Sequence, residues 1–397
     1  MSTTSLPEYG VFDADNHYYE APDAYTRHID PKMAKRAMQW AEIGGKQRLL
    51  VGGRINRFIP NPLFDPVAKP GSLDEYFRGR NPNAKDMRAL FGDLEPIRPE
   101  YRDRDSRIAV MDEQGVDGCL MFPTLGVGME ESLADDPPAL VAAFEAFNRW
   151  IEDDWGYAYR ERIFAAPMFT LVDVDAAVAE LRRVLDLDAR IICIKGGPAH
   201  TPTGLTSPAD ARFDPFWALV DEAGVVVGIH SGDAGYGRYL SDWEPRGDME
   251  AFRHSPLQIV LSADRPPYET MAALICQGLF DRFPRIRVAS IESGASWVPV
   301  LLEKLKKAYG QMPTGFASDP VETFRRHVWV APFYEDDLGA LKEDVGLEHL
   351  LFGSDWPHAE GLAEPKSFAR DLRRFGYGED EIHTVMADNG WPLTRRL

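Results

Sequence analysis

Short apolar, β-branched runs recur along the chain, each followed by a polar turn and then a stretch with helical spacing. The run Val11-Phe12-Asp13-Ala14-Asp15 predicts a first strand. From about residue 105 the rhythm becomes regular. Helical spacing over 106–114 leads into a strand over 115–123, and an amphipathic stretch over 138–159 leads into a run over 162–171. Strands over 190–195, 225–230, 285–292, 327–333 and 349–355 then alternate with helices over 174–185, 213–223, 268–283, 297–308 and 336–345. Runs this uniformly apolar mark strands buried on both faces, as in a parallel sheet. Eight of them with intervening helices predict an α/β chain folded as a (β/α)8 TIM barrel rather than two open sheets.

Two segments break the rhythm. Residues 30–104 are rich in Pro, Gly, Arg and aromatics and lack sustained periodicity, which predicts a lid inserted after strand one. Residues 231–258 form a second insertion, after strand five. Both are expected to face substrate, because loops that follow barrel strands carry specificity. The chain is therefore read as one barrel over 1–397 with two active-site insertions.

Composition narrows the partners. With 44 Lys and Arg against 63 Asp and Glu, the net charge is −19, and a phosphate backbone finds no basic footprint. Cys119, Cys193 and Cys276 are widely spaced without a CxxC pair, which excludes a disulfide framework and a thiolate zinc site. The longest apolar runs fall far short of a membrane span. The first twenty residues carry Glu8, Asp13 and Asp15 and no basic–apolar leader pattern. The expectation is a cytoplasmic homo-oligomer acting on a small molecule, with neither nucleic acid nor membrane as partner.

Chemistry in such barrels sits at the C-terminal ends of the strands. Strand one ends in Asp15-x-His17 with Glu20 beyond, and strand five ends in His230. Strand six ends in Glu292, and strand eight in Asp355 with His358 just after. Burying such groups unpaired is costly, and one shared divalent cation removes that cost from all of them. Imidazole and carboxylate without thiolate suit Zn, Fe, Mn or Ni and argue against an iron–sulfur cluster. Asp15 and His17, two apart on a strand, point to the same face and can reach one ion.

These residues carry a family resemblance. Asp13-Ala14-Asp15-Asn16-His17-Tyr18-Tyr19-Glu20-Ala21-Pro22 resembles the first-strand motif of the amidohydrolase superfamily. More narrowly it resembles the amidohydrolase-related group that includes aminocarboxymuconate semialdehyde decarboxylase and γ-resorcylate decarboxylase. Ile229-His230-Ser231-Gly232 resembles the strand-five histidine, and Phe352-Gly353-Ser354-Asp355-Trp356-Pro357-His358 the strand-eight aspartate motif. Ala387-Asp388-Asn389-Gly390 is similar to the last-helix pattern. The resemblance implies a distorted (β/α)8 barrel holding one or two divalent ions (Zn, Fe or Mn). It implies hydrolysis or non-oxidative decarboxylation of a small carboxylate-bearing substrate, aromatic acids included. By position, Asp15, His17 and His230 would bind metal, and Asp355 would bind metal and handle a proton.

Two departures stand out. The usual first-strand HxH has become Asp15-x-His17, as in many relatives. The Gly-His-x-Gly that ends strand six in the decarboxylases has become Ile291-Glu292-Ser293-Gly294, which removes an imidazole and adds a carboxylate.

Several residues keep two readings. Glu292 is a further ligand, opening a second ion site, or orients a ligand histidine. Glu20 is a ligand or a helix-start carboxylate. His358 shapes the site or meets substrate, so Asp355, Glu292 and His358 are the catalytic candidates. His254 completes a second metal site or lies on the surface. Lys195 ends strand four as a plain charged lysine or a carboxylated bridge. Gly232-x-x-Gly235-x-Gly237 has the wrong spacing for a dinucleotide loop, and no helix is expected to start there. Arg54, Arg57, Arg238, Arg246 and Arg265 are candidates for binding a substrate anion. A non-heme iron or dinuclear oxygenase on the same barrel is the alternative enzyme class; a binding protein with relict ligands is the third.

Overall fold

The computed structural model describes residues 5–397 apart from 84, 86, 245–254 and 263. The first strand, Val11–Tyr18, is buried at all eight positions, as its uniformly apolar setting predicts. It pairs in parallel with the second, Val116–Pro123, which pairs with Ile163–Ala165. Here Pro167 has no N–H to give, and the third strand breaks into two pieces. The second piece, Met168–Phe169, turns to the fourth strand, Ile191–Lys195. The fifth (Val226–His230), sixth (Arg287–Ile291) and seventh (Val328–Val330) follow in parallel register.

Residues 350–356 take the eighth place without forming a regular strand. They bridge in parallel to the seventh strand at Val330 and to the first at Asn16. Leu351 N donates to Val330 O (2.9 Å), Ala14 N to Phe352 O (2.7 Å) and Asp355 N to Asp15 O (2.8 Å), closing the ring. Two features keep this segment irregular. A Cβ at Gly353 would lie 2.6 Å from that of Asp15, so the close approach needs glycine. Asp355 then adopts a left-handed φ of 54°, which ends extended pairing. The fold is thus the distorted α/β barrel that the sequence predicts.

Helices pack outside the ring where helical spacing places them, including Arg104–Gln114, Pro137–Asp154, Val174–Asp186 and Trp297–Gln311. Asp103, Asp136 and Asp173 cap three of them by accepting from the backbone N–H three residues on. The stretch at 268–283 is two helices, Arg265–Cys276 and Leu279–Arg282. Pro320–His327 and Phe368–Arg374 are helices that periodicity did not reveal.

The 30–104 segment differs most from the expectation. It holds an antiparallel sheet of Met38–Ile43, Lys46–Val51 and Arg54–Ile55. Its two turns are Gly44-Gly45 and Gly52-Gly53, each with both residues at positive φ, as two-residue hairpins require. A short helix also begins at Gly237, where none was expected; it runs only to Ser241.

Candidate metal centre

The strand ends bring six predicted residues together. Nε2 of His17 lies 3.2 Å from Asp15 Oδ1, 3.4 Å from Glu292 Oε2 and 3.4 Å from Asp355 Oδ1. Nε2 of His230 lies 3.1 Å from His17 Nε2, 3.4 Å from Asp15 Oδ1 and 3.2 Å from Glu292 Oε2. Nδ1 of His358 approaches Asp355 Oδ1 to 2.6 Å. Phe122, its ring 4.7 Å from that of His230, packs beside them inside the barrel.

Two of the imidazoles have their tautomers set from outside the cluster. His230 Nδ1 donates to Ser231 O (2.8 Å), which leaves the Nε2 lone pair pointing inward. The Thr124 hydroxyl donates to Tyr18 O (2.7 Å) and so must accept from His358 Nε2 (2.8 Å), leaving Nδ1 bare. Thr124 follows strand two directly and was not singled out from sequence, although it obeys the same strand-end rule.

The donors fit a divalent ion. Asp15 Oδ1, Asp355 Oδ1 and His358 Nδ1 are buried and find no hydrogen-bond partner outside the cluster. Atoms that could ligate from Asp15, His17, His230 and Glu292 all lie within 4.8 Å of one another, as do those from His17, Glu292, Asp355 and His358. The 3.1–3.4 Å spacings among the first set match the edges of one shell with bonds of about 2.0–2.2 Å. Glu292 and Asp355 both sit at left-handed φ (48° and 54°), where the strand ends turn.

The electrostatics describe a site short of positive charge. Burial works against a charged imidazole at His17, but the hydrogen bonds it donates to the Asp15 and Glu292 carboxylates outweigh it and push its pKa up to about 10. Burial opposes ionisation of Asp15 too, yet the two imidazoles hold it below the usual carboxylate range. Burial and then the charge of Glu292 push Asp355 well above that range and Glu360 up to about 8. Burial, then the charge of His17, holds His358 well below an ordinary histidine. Glu360, which periodicity gave no reason to single out, lines the same cavity.

Other candidates lie apart. Glu20 Oε1 accepts from Leu125 N (2.8 Å) and Gly126 N (3.0 Å), and burial, against these bonds, pushes its pKa up to about 7. It pins the loop after strand two and belongs to neither ligand cluster among the described residues. Lys195 Nζ donates to Glu131 Oε1 (2.6 Å) and Pro198 O (3.0 Å). Arg54, Arg57, Arg238 and Arg265 are exposed, and none lines the cavity above the cluster. Arg246 and His254 lie outside the described residues. Cys119 and Cys193 are buried inside strands, as expected.

Asp13 and Asn389 act behind the site. Asp13 accepts from Ser354 N (2.9 Å), Ser354 Oγ (2.5 Å), Asn16 Nδ2 (2.9 Å) and Asp15 N (3.2 Å), tying the first strand to the eighth segment. Asn389 Nδ2 donates to Leu347 O and Leu350 O (2.7 Å each), fixing the start of that segment. Buried Arg107 holds Asn16 Oδ1 (2.5 Å) and lies over the Trp356 ring.

The sequence profile of the family described as Amidohydrolase matches residues 65–390. The chain belongs to the amidohydrolase family. An amidohydrolase from Mycobacterium avium subsp. paratuberculosis K-10 is 43% identical over 98% of this chain and 100% of that one, with a TM-score of 0.92. More distant amidohydrolase-fold neighbours include 5-carboxyvanillate decarboxylase from Sphingomonas paucimobilis, 19% identical over 99% and 100% of the two chains (TM-score 0.56). A dihydroxybenzoic acid decarboxylase from Polaromonas sp. JS666, solved with manganese and the inhibitor 2-nitroresorcinol, is 14% identical over 97% of each chain (TM-score 0.57). At those identities the likeness is one of fold. No curated protein matches the sequence. The family supports an enzyme, and no helix among the described residues is long and apolar enough to cross a membrane.

Proposed function

We propose that this amidohydrolase-family protein is a metal-dependent hydrolase acting at a carbonyl group. The observation that carries the reading is the convergence of possible ligand atoms from Asp15, His17, His230 and Glu292 within 4.8 Å of one another, with Asp355 and His358 alongside. A divalent ion held there would polarise a carbonyl and acidify water. Asp355 Oδ1 takes the proton of the attacking water and His358 Nδ1, 2.6 Å away, shares it before it passes to the leaving group. Thr124 keeps His358 in the tautomer that can do so. The carboxylate at Glu292, where the resembling decarboxylases carry an imidazole, favours hydrolysis over decarboxylation. We also assign segments 30–104 and 231–258 to the cover of the site, since Phe58, Phe64, Val67, Ala234 and Leu240 line its cavity.

The test uses metal-stripped protein reloaded with manganese or zinc and a panel of esters, amides, lactones and aromatic acids. Hydrolysis predicts metal-dependent formation of the carboxylate with its alcohol or amine, without oxygen uptake or carbon dioxide release. Metal-dependent carbon dioxide release instead would move the assignment to decarboxylation, and oxygen consumption to the oxygenase class. Equal turnover in verified metal-free protein would end the reading.

A further inference from the structure

The cluster occupies one end of a cavity of about 1300 Å³, larger than the ~300–1,000 Å³ usual for pockets that hold drug-sized ligands. Away from the cluster its walls include Phe58, Phe64, Val67 and Leu94 from segment 30–104, with Leu240 and Ile259 from beyond strand five. Phe58, Phe64, Val67 and Leu240 are buried, whereas Leu94 and Ile259 are 51% and 55% exposed, so apolar surface continues out to the opening.

Cationic side chains are scarce in these walls. Among the described residues the lining carries a single lysine and no arginine, and Lys195 is already bound to Glu131. Glu130, Asp233, Glu335 and Glu360 line the same space. A small aromatic acid would leave most of this volume unfilled.

We infer that the substrate is a large, mostly apolar molecule, an acyl chain or fused-ring skeleton, whose one reacting carbonyl sits at the cluster and whose body lies along these walls. The inference rests on the hydrolytic reading only for the identity of the reacting end. It replaces the small carboxylate-bearing substrate that the family resemblance implied.

Straight-chain alkyl hydroxamates from two to twelve carbons test it, titrated calorimetrically into manganese-loaded and metal-stripped full chain. Affinity for the loaded protein is expected to rise about three- to fourfold per methylene through the middle of the series. Dodecanohydroxamate should bind at least a hundredfold tighter than 2,6-dihydroxybenzoate. Ile259→Asp, at an exposed position, should flatten the series at its long end. A series that climbs equally in stripped protein supports the apolar cavity while removing the metal from the reading. A flat series, with 2,6-dihydroxybenzoate the tighter ligand, overturns the inference and leaves the metal centre standing.

Discussion

The two ends of the cavity are built by opposite means. At the barrel end Asp15, His17, His230 and Glu292 are placed by strand ends, and two imidazole tautomers are set by Ser231 O and the Thr124 hydroxyl. At the far end, loops and short helices supply apolar side chains, and Leu94 and Ile259 remain half exposed. Chemistry demands donors placed to a fraction of an ångström on rigid elements. Apolar contact has no direction and tolerates looser walls. The difference teaches that reaction and specificity here are separable, and substitutions should divide accordingly.

The sharpest way to break the division is at the barrel end. His230→Ala, or chelation of the native protein, should abolish metal binding and lower activity by on the order of 10³-fold or more, while circular dichroism stays unchanged. Asp355→Asn tests the proton role separately: a rate loss of about 10²–10⁴-fold with metal content largely kept. Loss of metal and rate in step would make Asp355 chiefly a ligand.

Glu292→Gln decides between its two readings. As a ligand its loss should weaken metal binding more than about a hundredfold; as an orienting group, about 10–100-fold. The donor spacing predicts one ion per chain in the wild type by metal analysis. Two ions falling to one in the variant would instead establish a dinuclear centre.

The barrel end was also the part most legible in the sequence. Apolar runs that stop at Asp15-x-His17, His230, Glu292 and Asp355 mark strand ends by themselves, because a buried strand has no other reason to finish in a ligand. Thr124 was missed because a hydroxyl after a strand is common and only its two partners give it meaning. Glu20 kept two readings because a buried carboxylate beside a ligand motif looks the same in sequence whether it meets a cation or N–H groups such as those of Leu125 and Gly126. The lid sheet was readable in one respect only, the Gly44-Gly45 and Gly52-Gly53 turns; its strands are half exposed and show too little alternation. Helix Phe368–Arg374 escaped because seven residues span barely two turns of pattern.

Protonation sharpens the comparison further. Without an ion, His17 takes a proton in its place, its pKa raised from the ordinary value to about 10 by Asp15 and Glu292 against the effect of burial. Metal must displace that proton, so loading below about pH 10 should release at least one proton, and apparent affinity should fall about tenfold per pH unit on acidification. Calorimetry in buffers of different ionisation enthalpy counts the protons. A pH-independent affinity between 7 and 9 would show that His17 is neutral before the ion arrives.

The smallest expected effects lie at the far end, where they are most informative. Leu94→Ser and Phe77→Ser replace apolar side chains that are 51% and 39% exposed, so little buried surface is lost. Stability by chemical denaturation should change by no more than about 0.5 kcal/mol, the usual range for surface positions away from special features. Metal affinity should not move, because neither side chain belongs to a ligand cluster. What should change is affinity for apolar probes, by the few-fold that a partly buried side chain contributes. A drop in metal affinity in either variant would mean that the cover and the cluster are mechanically coupled. In that case the lid helps to assemble the donors, and the two ends of the cavity would have to be treated as one site.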